Sequence, residues 1–196
     1  MNQDYYIVRN VLDINIINFV YDYFKKKKKV ATYLFNNNYI APECEWYGSY
    51  IDKQIPNTYA SYSDIVMETL LEQTQDTIEL KINTKLIPTY SYARLYKNGD
   101  ELHKHKDRKH CEISATMNLG GDKWPIYLEP NIKIMLNPSD ILIYKGCKLE
   151  HWRKKFTGNE CAQVFFHYNS VNNPLAESNK FDGRVFLGLP KFSTYE

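Results

Sequence analysis

Nowhere does the chain hold an apolar run approaching the length of a membrane-crossing helix, and Met1 to Asp13 contain no signal-peptide core. The expectation is a soluble protein with no membrane partner. Cysteine is scarce too. Cys44, Cys111, Cys147 and Cys161 form no CxxC pair and no dense framework of the kind that staples small secreted domains. That predicts reduced thiols and a cytoplasmic location, a virus-encoded protein in its host's cytoplasm included. An excess of one charge is also missing: 25 Lys and Arg stand against 23 Asp and Glu, a net charge of +2. Charge balance therefore gives no argument for a nucleic-acid partner. No internal repeat or linker breaks the 196 residues, which predicts one domain over 1–196 with a core that needs no crosslinks.

Against these absences stand two helical patterns and then a long run of short strand patterns. Asp13 can cap a helix whose apolar stripe is Ile16, Ile17, Val20 and Phe24. Lys25 to Lys29 follow it, and read as a solvated helix end whose cations suit the C-terminal dipole. Residues 33–60 are irregular, with a strand expected around Glu45, Trp46 and Tyr47. Ser61-x-x-Asp64 resembles a capping box, opening a second helix with the stripe Met67, Leu70, Leu71, Thr74 and Ile78. Asn83-Thr84-Lys85 ends it.

After Pro88 the pattern is of strands separated by turn chemistry. Tyr90, Tyr92, Arg94 and Tyr96 share one strand face, with Ala93 and Leu95 on the other. Ile113 to Asn118 alternates before Gly120-Gly121-Asp122. Trp124–Leu128 and Ile132–Leu136 read as a hairpin, Ile141–Tyr144 follows, and Ala162–Tyr168 closes a set of about eight strands. This predicts a mainly β fold with flanking helices and a double-stranded jelly-roll core. The expected division is helical support over 1–85, the core over 86–168 and an extension over 169–196, in which Phe181 to Arg184 dock back on the barrel.

The chemistry is concentrated in Tyr96 to Asp107, YKNGDELHKHKD. In extended backbone, residues i and i+2 point the same way, so His105 and Asp107 would present an imidazole and a carboxylate to one point. A distant His completes two His and one carboxylate, the set that holds non-haem Fe(II) with positions left open. His151 is the candidate. His103 and His110 read as solvated loop residues, since their spacing matches no common zinc pattern, and His167 as a satisfied core histidine.

The pattern Tyr96-x-x-Gly99-x-x-Leu102-x-x-His105-x-Asp107, then Pro138-Ser139-Asp140 and the distal His151, resembles the Fe(II)- and 2-oxoglutarate-dependent oxygenases on their prolyl 4-hydroxylase side. The likeness spans roughly 86–168 and includes the runs Pro88 to Arg94 and Cys111 to Ser114, which are similar to a bacterial and phage subgroup. It implies an enzyme with Fe(II), 2-oxoglutarate and O2 as cofactors and co-substrates, ascorbate as an optional accessory, and His105, Asp107 and His151 as metal ligands. The implied reaction couples oxidative decarboxylation of 2-oxoglutarate to hydroxylation of an unactivated C–H bond, in a prolyl or other peptide residue or a small molecule. Tyr96 implies a hydrogen bond to 2-oxoglutarate.

One departure stands out. Where such enzymes carry a cation about ten residues past the distal His, this chain has Cys161 and Gln163. A buried carboxylate without a counter-charge is strongly disfavoured, so another residue must supply it. Arg94, on the strand face of Tyr96, ranks first, and Arg153, on the loop past His151, second, with Gln163 as a supporting donor. Two rivals remain: a nucleic-acid demethylase using Lys25 to Lys29, Lys104, Lys106, Arg108 and Lys109, and a metal- or sugar-binding jelly roll without turnover. Trp124 and Trp152 are candidate cleft aromatics.

Overall fold

The computed structural model describes residues 3–41 and 44–191. The end of the expected extension and two residues of the irregular stretch lie outside them. Asp13 opens the first helix, α1 (Ile14–Asn36), by accepting the Asn15 N–H at 2.7 Å. Its buried face is Ile17, Val20, Phe24 and Ala31. Ile16 lies off that face and is 43 % exposed, since one residue along a helix turns the side chain by roughly 100°. The lysine run does not end the helix as expected but lies within it. Acids on and beside the helix meet its charges: Lys25 pairs with Asp22, Lys27 with Asp64 and Lys28 with Glu160.

The second helix, α2 (Ile65–Ile82), buries its whole expected stripe. Its cap is Asp64, whose Oδ1 accepts the Val66 and Met67 N–H groups at 2.9 and 3.2 Å. Ser61 belongs instead to a strand, so the apparent capping box is not one. Asn83 ends the helix in the left-handed conformation that Asn tolerates (φ 51°).

Among the described residues ten strands form two sheets. The larger joins β1 (Tyr5–Val8), β8 (Ile141–Tyr144), β5 (Ile113–Gly121), β10 (Glu160–Ser170), β3 (Leu86–Lys97) and β2 (Tyr59–Tyr62), in that order. The smaller joins β4 (Leu102–His105), β9 (His151–Arg153), β6 (Ile126–Leu128) and β7 (Ile132–Ile134). Every named pair is antiparallel, and the face-to-face sheets make the expected jelly roll. Besides β9, which was expected as loop, β1 and β2 are not among the expected strands. Each has four residues, too few for alternation to declare itself. Glu45–Tyr47 is a single 3-10 turn rather than a strand.

Alternation divides the larger sheet's two faces. Ala93, Leu95, Ala115, Met117, Ala162, Val164 and Phe166 pack with α1 and α2 in the main core. Tyr90, Tyr92, Arg94, Tyr96, Phe165 and His167 point into the space between the sheets. At the turn before β8, Ser139 stands where the oxygenase pattern has Gly and takes φ 73°. Its hydroxyl donates to Leu12 O and accepts from Leu12 N, which offsets the strain of that conformation. Past β10, the segment at Phe181–Arg184 does fold back. Arg184 is buried and pairs with Glu68 at 2.9 Å.

Candidate metal centre

In the β4–β9 ladder His105 lies directly opposite His151, and their ring centroids are 4.2 Å apart. Asp107 sits just past β4 rather than within it, held by its N–H to Gly146 O at 3.0 Å. The three side chains nevertheless converge: one ligand atom of each lies within 4.8 Å of the others. Asp107 Oδ1 is 3.4 Å from His151 Nε2 and 3.7 Å from His105 Nε2.

Both imidazoles are oriented from behind. His105 Nδ1 donates to His103 O at 2.8 Å and His151 Nδ1 to Leu149 O at 3.1 Å. With the proton held on Nδ1, each Nε2 presents a lone pair towards Asp107, as a metal ligand must. Burial, and the neighbouring His151, hold the His105 pKa below the usual imidazole value, favouring the ligating form. Burial opposes charge on Asp107, but the neighbouring His151 and His167 rings and the Ser114 hydroxyl outweigh it, holding that carboxyl well below its usual range. Its Oδ2 accepts the Ser114 hydroxyl at 2.6 Å.

Two further groups shape the centre. A Cβ on Gly146 would overlap Ser114 Oγ and Asp107 Oδ2, so only glycine fits there. Gln54 reaches in from the segment before β2, and its amide lies 3.0 Å from His105 Nε2. Neither stood out in the sequence. Ser114 falls within the Cys111 to Ser114 run, so a signal for it was present.

The triad opens into a cavity of about 270 Å³, whose wall includes Tyr90, Tyr92, Arg94, Tyr144, Phe165 and His167 and whose inner end includes Tyr96, Leu102 and Ile126. Arg94 lines it, but its charge is committed to Asp52 at 2.5 Å, with Gln54 Oε1 at 3.1 Å. Tyr96 is fully buried, with Arg94 3.4 Å from its hydroxyl. Arg153 corrects its expected place. It lies on β9, not on a loop, and is 1 % exposed.

One residue pair deeper than His151, Arg153 lies opposite Leu102 and donates to Trp124 O at 2.5 Å and to Gln163 Oε1 at 3.2 Å. Among the described residues no carboxylate pairs with it, and its Nε has no partner. Trp124 is buried beneath Tyr96 and Phe156, and Trp152 stacks outward on Tyr127, so neither lines the cavity. His103 is exposed as expected, while His110 lies 3.8 Å from Asp182.

No family model matches the chain, and no curated protein sequence does. Solved structures do. A prolyl-4-hydroxylase from Pseudomonas putida is 11 % identical, over 86 % of this chain and 93 % of its own, with a TM-score of 0.61. A viral collagen prolyl hydroxylase from Paramecium Bursaria Chlorella virus-1, solved with 2-oxoglutarate, is 12 % identical over 87 % and 98 %, with a TM-score of 0.60. HygX from Streptomyces hygroscopicus, solved with nickel, 2-oxoglutarate and hygromycin B, is 10 % identical over 86 % and 84 %, also at 0.60. At these identities the likeness is one of fold.

Proposed function

We propose that the chain is an Fe(II)- and 2-oxoglutarate-dependent oxygenase that hydroxylates an unactivated C–H bond. The observation that carries this reading is the triad itself: two imidazoles with their Nδ1 protons tied back, and one ionised carboxylate, aimed at a common point. Two His and one carboxylate on one side of an ion suit Fe(II) and leave positions for ligands from the cavity. Iron and 2-oxoglutarate would supply the oxidation; the protein binds, orients and excludes water.

The co-substrate reading is supported by Arg153. A buried guanidinium without a carboxylate is costly unless an anion joins it, and this one lies behind the cavity wall, opposite Leu102 of its lining and two residues along a strand from His151. Two residues of strand span about 7 Å, a distance suited to a short dicarboxylate that also reaches the metal. Arg94 already has Asp52, which places Arg153 ahead of it, with Gln163 and the Tyr96 hydroxyl as supporting groups.

Substrate remains at the level of class. The similar structures include prolyl hydroxylases and one with hygromycin B bound, so peptide residues, prolyl among them, and small molecules are both compatible. For the demethylase reading, Lys106 lines the cavity, but most of the cations it would use are committed or remote. Lys104 is paired with Glu150 and Arg108 with Asp182, while α1, with its lysines, covers the opposite face of the larger sheet from the cavity.

Anaerobic titration of the protein with Fe(II) and then 2-oxoglutarate tests the reading. A weak visible absorption band of the chelate, and succinate release on adding O2, are expected. Absence of both would leave a jelly roll without turnover. In the same titration Arg153→Gln should weaken 2-oxoglutarate binding about tenfold, roughly 1.4 kcal/mol, and Arg94→Gln less. The reverse order would return the role to Arg94.

A further inference from the structure

The wall of the cavity next to Asp107 carries a ring nitrogen that no described residue bonds. Ser114 Oγ lies 2.6 Å from Asp107 Oδ2 and 3.1 Å from His167 Nδ1. An ionised carboxylate only accepts, so the single Ser114 proton points to Asp107. Ser114 Oγ can then only accept from His167, which places the imidazole proton on Nδ1 and a lone pair on Nε2. The ring is 6 % exposed and lines the cavity, and no described residue donates to Nε2. Sequence reasoning read this histidine as satisfied; it is satisfied at one nitrogen.

Four of the donor side chains that line the cavity are committed elsewhere; among the described residues the Tyr144 hydroxyl and the Lys106 ammonium are not, and none of the six bonds His167. Arg108 bonds Tyr90 Oη at 3.2 Å and Asp182 at 2.8 Å. The Tyr90 hydroxyl also meets Cys111 Sγ at 3.1 Å, and Tyr92 donates to Asp52. Arg94 is held by Asp52 and Gln54, and its unpartnered Nε is out of contact with the cavity space. What the wall offers at His167 is an acceptor that faces the cavity.

We propose that His167 selects the substrate: its Nε2 accepts a hydrogen bond from an O–H or N–H of the molecule to be oxidised. The pocket then takes a hydroxyl- or amine-bearing compound rather than a peptide-bound prolyl ring, whose nitrogen carries no hydrogen. The inference rests on the oxygenase reading for the word substrate, and on geometry alone for the acceptor. Sites built around such a polar group discriminate strongly against molecules that cannot complete the bond.

Two measurements test it. Long-range ¹H–¹⁵N NMR of the metal-free protein should show His167 as the Nδ1–H tautomer; the Nε2–H tautomer would overturn the assignment. Succinate release from 2-oxoglutarate is then compared with glucosamine or kanamycin, rich in donors, and with poly-L-proline, which has none along its chain. The amino-sugar to polyproline ratio should be at least tenfold in the parent protein. It should fall to about one in His167→Phe and return in part in His167→Gln, whose amide oxygen can accept. A parent ratio near one, or a ratio unchanged in His167→Phe, overturns the proposal. Absence of any succinate from the parent counts against the oxygenase reading alone, and the tautomer still decides the acceptor.

Discussion

A methyl group has no room at Gly146, because Asp107 Oδ2 and Ser114 Oγ already occupy its place. Gly146→Ala should displace the carboxylate and weaken Fe(II) binding roughly 10- to 100-fold, the range for groups that orient a ligand. Calorimetric titration would read this directly. His105→Ala and His151→Ala should each lose more than that, and His103→Ala, on an exposed side chain, should be nearly silent. Part of the acid side of the stability profile comes from His167. Burial pushes its pKa down to about 4, so between that value and the unfolded value near 6.5 the unfolded chain binds a proton that the folded chain does not. Stability of the metal-free protein should therefore fall by roughly 3 kcal/mol as pH drops through that window. Urea unfolding at several pH values should show a slope in the parent that is shallower in His167→Gln by that amount. The convergence of His105, Asp107 and His151 was legible because two of them stand two residues apart, although Asp107 lies just past β4. Gly146 and Gln54 were not, because what they touch is remote in sequence; Arg153 was named, but its place on β9 was not read.

At the scale of elements, the link between the helices is Asp64. It caps α2 and also receives Lys27 at 2.5 Å and the Tyr23 hydroxyl at 2.7 Å, both from α1. Asp64→Ala should cost about 1 kcal/mol for the cap alone and more for the stranded Lys27, lowering Tm by at least roughly 3 °C. Asp64→Asn, which retains an accepting oxygen, should lose less; equal losses in thermal unfolding would assign the effect to the ion pair. Long amphipathic stretches were readable: the α2 stripe is buried residue for residue, and β3 turns Ala93 and Leu95 to the helices as alternation requires. Ends and short strands were not. The lysine run concealed the continuation of α1, since like charges on an exposed helix look the same as a helix end.

For the whole molecule, the order of strand patterns and their turns was enough to indicate a jelly roll, but not the pairings that close it. The first strand, β1, pairs with β8, and β10 lies between β5 and β3, contacts that no local pattern announces. Such non-local pairing predicts slow folding, on the millisecond to second scale, which stopped-flow refolding would measure. The place of β10 has a consequence for synthesis on the ribosome. Until it emerges, β3 and β5 each present an open edge that can pair with a neighbouring chain. The roughly fifty residues from Gly121 to Ser170 take about 2–10 s to make at ordinary elongation rates. A nascent chain is thus adhesive for seconds in the middle of its larger sheet, and a fragment ending at Gly158 should remain so, sedimenting as aggregate where the full chain does not.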